Sequence, residues 1–294
     1  MAGRVEIASV AGAQPVGPAL WLIHLDAPEI AAQARPGQFV LARCADPDYP
    51  VYDPYLPRAY FVLAGDRQAG RMSLLVEERG RGSAWLASRR DGDRVLVHGP
   101  IGREIRPARL TRHLLLLAEG TTAAAGLIFL AGEASQGGLS VTLVENTQAA
   151  GVPPALLRAD VEYRATTPGR GGLLGILPGL LPWADEVVVA APPALLDTLA
   201  ALRRGRLEPF TLHAGLPVQA LPLSDIAQEA DIGRLRQSGG DEVPCGTGAC
   251  GACVVLTSRG PRLFCRDGPA FPLEALRFES DSDEDEPENA VDAP

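Results

Sequence analysis

The chain has 294 residues, enough for about two or three domains, and 46% of them are hydrophobic, so each domain can bury a core. Its formal charge of −9 lies almost wholly in Glu279 to Pro294, which hold eight acids and no base; the remainder sets 28 acids against 27 arginines, with no lysine anywhere. No basic stripe suggests nucleic acid, no run of about 18 apolar residues suggests a membrane span, and Met1 to Ile7 lacks the apolar stretch of a secretion signal.

The first hundred residues read as β structure. Arg4 to Val10 and Ala19 to Leu25 alternate or run apolar between Gly/Pro turns, and Pro36-Gly37 leads into a strand over Gln38 to Ala42. Ala59 to Ala64, Met72 to Val76 and Arg94 to Val97 are further strands, and this spacing predicts a small barrel. Two stretches in it could carry chemistry. In Arg58-Ala59-Tyr60-Phe61, an arginine and an aromatic residue two apart at a strand start can hold a phosphate and a flat ring together; ordinary strand residues would look the same. In Gly80-Arg81-Gly82-Ser83, two glycines and a serine open a short helical pattern. A helix start of this kind offers amides to a pyrophosphate, and a plain loop with Ser83 as cap is the alternative.

From Leu110 the period changes. Leu114 to Ala118, Leu139 to Glu145, Val161 to Ala165 and Glu186 to Ala190 read as buried strands. Between them lie helical runs from Gly120 to Ala131 and from Leu173 to Leu181, and Pro193 to Arg203 follows. Alternating strands and helices predict a doubly wound parallel sheet. The junction Ala118-Glu119-Gly120 falls where a dinucleotide would bind, yet it carries one glycine where a fingerprint needs several. Residues 211 to 240 are ambiguous; a helix over Ala227 to Gln237 with Ser224 as its cap is the expectation.

Four of five cysteines, Cys245, Cys250, Cys253 and Cys265, fall within 21 residues as C-x4-C-x2-C-x11-C. This is the plant-type ferredoxin order, in which four thiolates hold a [2Fe–2S] cluster. Gly246, Gly248 and Gly251 let the loop turn tightly and aim amides at the sulfurs. A structural zinc site is the alternative, although zinc usually takes two knuckles with two to four residues between the cysteines and only Cys250 and Cys253 form one. A hairpin over Val254 to Phe264 would return Cys265 to the other three. Cys44 stands apart and reads as a buried small hydrophobe. Reduced thiols and a cluster predict a cytoplasmic protein.

This order of barrel, nucleotide-type lobe and cysteine-rich end resembles one family, the electron-transfer subunit of type B dihydroorotate dehydrogenase, a branch of the ferredoxin reductase superfamily. The likeness covers most of residues 1 to 275 and is strongest from Cys245 to Cys265 and on through Asp267-Gly268-Pro269. It extends to Pro36-Gly37-Gln38-Phe39, Gly80-x-Gly82-Ser83 and Gly92 to Gly102. The resemblance implies an antiparallel β-barrel of the FAD-binding type over residues 1–107 and a doubly wound α/β NAD-type lobe over 108–212. A linker and [2Fe–2S] domain over 213–278 and an acidic, disordered tail over 279–294 complete the chain. It implies that Arg58 holds the FAD pyrophosphate, Tyr60 lies by the flavin, Gly82 and Ser83 donate to phosphate, and Ala59, Phe61 and Gly80 complete the site. Where the family has Ser or Thr near the flavin N5, this chain has Phe61.

Two further departures concern NAD(H). The family's glycine-rich loop is here Ala118 to Ala125 with Glu119 at the helix start, where a carboxylate occupies or repels a pyrophosphate. The family's Cys-Gly-Pro is here Ala190-Ala191-Pro192. Together they predict that NAD(H) binding is weakened or lost. The function expected is that of an oxidoreductase electron-transfer subunit. It passes electrons between FAD and the cluster, to or from a catalytic partner oxidoreductase in a hetero-oligomer. A conventional NADH-dependent reductase subunit of such a complex, in pyrimidine synthesis, and a non-enzymatic cluster-carrying assembly subunit are the alternatives.

Overall fold

The computed structural model describes residues 3–49, 54–148, 151–168, 171–205, 215–223 and 243–278. Six strands close the first unit: β1 (Arg4–Gly17), β2 (Leu20–Asp26), β3 (Phe39–Ala42), β4 (Arg58–Asp66), β5 (Arg71–Glu77) and β6 (Arg94–Ile101). They close in the order β1-β2-β5-β4-β3-β6, every pair antiparallel. Closure leaves no open sheet edge. The long β1 bends at two register shifts, Val10/Gly12 and Pro15/Gly17, as bulges do where a barrel turns a corner. Two short helices sit on it, α1 (Pro28–Gln33) and α2 (Arg81–Ala87).

Side-chain alternation gives the barrel two faces. Val40, Val62, Leu74, Val76, Val95 and Val97 point inward and form a separate core. Phe39, Phe61, Leu63 and Ile101 point outward, yet they are buried because the rest of the chain covers them.

The second unit runs β7 (His113–Glu119), α3 (Thr121–Gln136), β8 (Ser140–Asn146), β9 (Val161–Thr166), α4 (Gly172–Leu180), β10 (Glu186–Ala191) and α5 (Pro193–Arg203). Its strands are near-continuous apolar runs such as Leu114 to Ala118, as parallel strands covered on both faces require. Within it the strands lie in the order β10-β7-β8-β9. The chain therefore leaves β7 in one direction to β8 and β9 and returns beside β7 on the other side with β10. That reversal makes a topological switch point at the carboxyl ends of β7 and β10.

Two strands of this sheet come from the stretch read as linker and cluster domain. β11 (Val218–Pro222) pairs parallel with β10, and β14 (Phe271–Pro272) pairs antiparallel with β11. Val218 to Pro222, within the stretch whose pattern is ambiguous in the sequence, are thus in a strand. Ser224 and the helix expected over 227–237 lie outside the described residues, as does the acidic tail. Between β11 and β14 in the chain lie β12 (Val254–Val255), β13 (Arg262–Leu263) and α6 (Phe264–Asp267), which bears Cys265. β12 and β13 form the expected antiparallel hairpin. Among the described residues no helix is long and apolar enough to cross a membrane.

The units are joined by buried polar contacts as well as by the shared core. Glu186, 1% exposed, accepts from the Ala108 amide (2.8 Å), the Thr111 hydroxyl (2.6 Å) and Gln219 Nε2 (2.6 Å). It thereby fixes the segment between barrel and lobe.

Candidate functional site

Three sites follow from these elements. The first lies at the mouth of the barrel. β3 and β4 pair so that Val40 faces Tyr60 and Phe39 faces Phe61. Pleating then sends Tyr60 toward the inner core, with Arg58 on the same side, and sends Ala59 and Phe61 to the outer face. Arg58 is exposed, and its Nη1 donates to the Leu56 carbonyl at 3.1 Å. The first turn of α2 lies on the Arg58 stem. A Cβ on Gly82 would stand 3.3 Å from Arg58 Nε and 3.5 Å from Cys44 Cβ, so the glycine lets the backbone lie close to the guanidinium without crowding it. The Gly82 and Ser83 amides have no acceptor within a helix that starts here.

The Ser83 hydroxyl is already engaged. It accepts from the Arg79 and Gly80 amides (2.9 and 3.0 Å) and donates to the Gly80 carbonyl (3.0 Å). What Ser83 has to offer an anion is its amide. Cys44 is 1% exposed and belongs to the inner core, as a small hydrophobe should. Burial pushes its thiol up to about 11 despite the nearby Arg58, and Tyr60, hydrogen-bonded to that thiol, is raised by burial as well. Arg58, Tyr60, Gly80, Gly82 and Ser83 are therefore gathered on one side. Ala59 and Phe61 face the other, where the Phe61 ring packs on Phe39 (6.2 Å, 72° between planes) and against Gly126 of α3.

The second site holds the cysteines. Gly246, Gly248 and Gly251 all take positive φ (66°, 82° and 66°), the conformation glycine adopts without strain. Gly246 is pressed on the barrel: a Cβ there would lie 2.5 Å from Ile101 Cδ1 and 3.2 Å from the His98 ring. The Thr247 amide donates to Cys245 Sγ at 3.4 Å. Burial opposes ionisation of Cys245, but donors from Thr247 and Cys250 outweigh it and bring the thiol down to about 6. Cys265 is driven the other way, to about 12, by burial and then by the adjoining Cys253 and the charge of Cys245, while the Gly248 amide opposes the rise. The thiols thus form two contacting pairs, Cys245 with Cys250 and Cys253 with Cys265, and Cys245 links the pairs. Cys250 is exposed, whereas Cys253 and Cys265 are buried. Among the described residues no three His, Cys, Asp or Glu side chains close on one point as a single metal ion asks. Two thiol pairs with amides aimed at them suit a core of two irons with two thiolates each.

The third site is the switch point of the sheet. Gly120 (φ 86°) precedes α3, and Ala118 of β7 lies in register with Ala190 of β10. The two departures noted in the sequence are therefore neighbours. Here the structure adds an acidic cluster. Asn146 Nδ2 donates to Glu119 Oε1 at 2.7 Å. Glu145, fully buried, accepts from Thr121 Oγ1 (3.1 Å), the Val152 amide (2.9 Å) and the Tyr163 hydroxyl (2.7 Å). Burial and then this carboxylate raise the Tyr163 hydroxyl. Sequence reasoning missed Glu145, Asn146 and Tyr163. The available signal was a charged and a polar residue closing the otherwise apolar run of β8.

Residues 242–277 match the family described as "Iron-sulfur cluster binding domain of dihydroorotate dehydrogenase B". Over nearly its whole length the chain is similar to proteins named "Dihydroorotate dehydrogenase B (NAD(+)), electron transfer subunit". The one from Desulforamulus reducens is 28% identical over 92% of this chain and 97% of that protein. The one from Geobacillus thermodenitrificans is 27% identical with the same coverage. In fold it is similar to a NADH-dependent reduced ferredoxin-NADP oxidoreductase (TM-score 0.68, 19% identity, 94% of this chain and 91% of that one). It is also similar to the ferredoxin reductase of carbazole 1,9a-dioxygenase (TM-score 0.53, 22% identity, 70% and 65%). The resemblance read from the motifs is thus met again in whole-chain sequence and in fold.

Proposed function

We propose that this chain is an electron-transfer subunit that passes electrons between FAD and a [2Fe–2S] cluster, to or from a catalytic oxidoreductase partner in a hetero-oligomer. The observation that carries the reading is the pair of thiol pairs packed on the barrel that bears Arg58 and Gly82. Cys245 and Cys250 would hold one iron, Cys253 and Cys265 the other. Arg58 with the Gly82 and Ser83 amides would take the FAD pyrophosphate, and Tyr60 would lie by the flavin. FAD can exchange electrons in pairs or one at a time and the cluster only singly, so together they would join two-electron to one-electron chemistry.

The finer part of the proposal is that NAD(H) binding is weakened or lost. The Glu119 carboxylate stands at the start of α3, held by Asn146, where a dinucleotide phosphate would need the same positive helix end. The lobe then serves as scaffold or docking surface, and electrons pass between proteins in the cytoplasm. A conventional NADH-dependent reductase is the second reading, favoured by the NAD(+) in the relatives' name. Iron, acid-labile sulfide and flavin analysis of gently purified protein tests the core of the proposal. About two irons and two sulfides with about one FAD per chain is the expected result. Zinc without sulfide would overturn the cluster, and a loaded cluster without flavin would leave an assembly subunit.

A further inference from the structure

Three aromatic rings connect the parts of this molecule. Phe61 on β4 meets Phe39 on β3 edge to face, with centroids 6.2 Å apart and planes at 72°. Phe39 meets Phe264 of α6 at 5.6 Å and 39°. All three are buried, at 8%, 1% and 4% exposure. Both contacts fall within the separations at which aromatic pairs hold a preferred orientation. At one end, a Cβ on Gly126 of α3 would stand 3.0 to 3.2 Å from the Phe61 ring, so helix and ring touch through a glycine where even a methyl group would push on the ring. At the other end, Phe264 precedes Cys265, and its amide donates to the Cys253 carbonyl at 2.8 Å.

The C-terminal end of α6 is held by the same barrel. The Arg103 amide donates to the Gly268 carbonyl at 2.6 Å, and a Cβ on Gly102 would press on Pro269 Cδ at 2.9 Å. The four-residue helix bearing Cys265 is therefore clamped on both sides by residues of β3 and of the turn after β6. We infer that Phe61, Phe39 and Phe264 form a positioning spine. It fixes the Cys265 arm against the barrel strand that carries Arg58 and Tyr60, and it transmits the packing of α3 to that arm. The three are positioning residues. They act through Cys265.

The inference rests on the proposal that Cys265 is a cluster ligand, and one experiment separates the two. Phe39→Leu, Phe264→Leu and Gly126→Ala are compared with Leu74→Ala, which opens the inward core of the barrel away from the spine. For each, iron and sulfide content, the electron paramagnetic resonance spectrum after dithionite reduction and the rate of cluster loss to a chelator are recorded. Variants that emerge without iron are first reconstituted with ferrous iron and sulfide. The two Leu variants are expected to shift the spectrum and to lose the cluster about fivefold faster, the scale of one lost aromatic contact. The double variant should be little worse than either single one, because both break one chain of contacts. Gly126→Ala should shift the spectrum in the same direction from the far end. Leu74→Ala should lower Tm and leave spectrum and loss rate unchanged. Unmoved spectra in both Leu variants, or the same change in Leu74→Ala, would overturn the spine. Wild-type protein that binds no iron would overturn the cluster reading itself.

Discussion

Two strand-to-helix junctions in this protein share a shape and differ in charge. One leads from β5 to α2 at Gly80, the other from β7 to α3 at Gly120. Each can present backbone amides to an anion. Beneath the first lies Arg58, with Gly82 close enough to its guanidinium that a methyl group would crowd it. Around the second stand Glu119, held by Asn146, and the buried Glu145 with its three donors. A helix start carries a partial positive charge, and the side chains around it strengthen or cancel what it offers a phosphate. Both junctions have the same shape, and under the proposed function the charges favour an anion at only the first.

The largest effect that could break this account lies outside both junctions, at the cysteines. Cys250→Ser or Cys265→Ser should reduce iron from about two per chain to a small residue, whereas Cys44→Ser should leave iron and the visible spectrum unchanged. Metal analysis with absorption spectroscopy reads both. The comparison itself is sharpened at Glu119. Glu119→Gly removes a carboxylate from the start of α3 and should tighten NADH or ADP-ribose binding about tenfold, roughly 1.4 kcal/mol, measured by calorimetry; unchanged affinity would show that Glu119 is not the obstacle. At the other junction, Gly82→Val pushes on Arg58 and should weaken FAD retention about fivefold, close to 1 kcal/mol, read as flavin per chain after dialysis. The smallest effect concerns the lobe's own integrity. Asp185 accepts the Arg112 and His113 amides at 2.9 Å each, and these bonds hold its carboxyl below the ordinary 3.8. A lowered carboxyl stabilises the fold above its unfolded-state value and loses that contribution as pH falls through its folded-state value. Asp185→Asn should therefore lower Tm slightly at neutral pH, and the gap to wild type should close as the pH is taken below the carboxylate range.

Much of this was legible in the chain, for reasons that differ by region. The cysteine spacing is local, so Cys245 to Cys265 announced a cluster loop without any fold. Alternation marked the barrel strands, and apolar runs marked β7, β8 and β10, because burial on one face or two leaves a periodic trace. β11 escaped because it is a short run between Pro217 and its own last residue, Pro222, in a stretch whose pattern is ambiguous, and β14 because two residues become a strand only by pairing with a distant partner. The mouth of the barrel was legible as residues and not as directions. Arg58 to Phe61 form one stretch of sequence, yet pleating sends Tyr60 to one face and Phe61 to the other. The contacts of Glu145 with Tyr163, and of Phe39 with Phe264, join residues far apart in the chain, and no local pattern encodes them.

The central claim is that flavin and cluster exchange electrons while the nucleotide edge of the lobe stays closed to NADH. The visible spectrum of the anaerobic protein, recorded before and after NADH and then after dithionite, tests it most directly. Flavin and cluster bands that persist with NADH and bleach with dithionite are the predicted result. Prompt bleaching by NADH would contradict it and make Glu119 a tolerated substitution in a working nucleotide site.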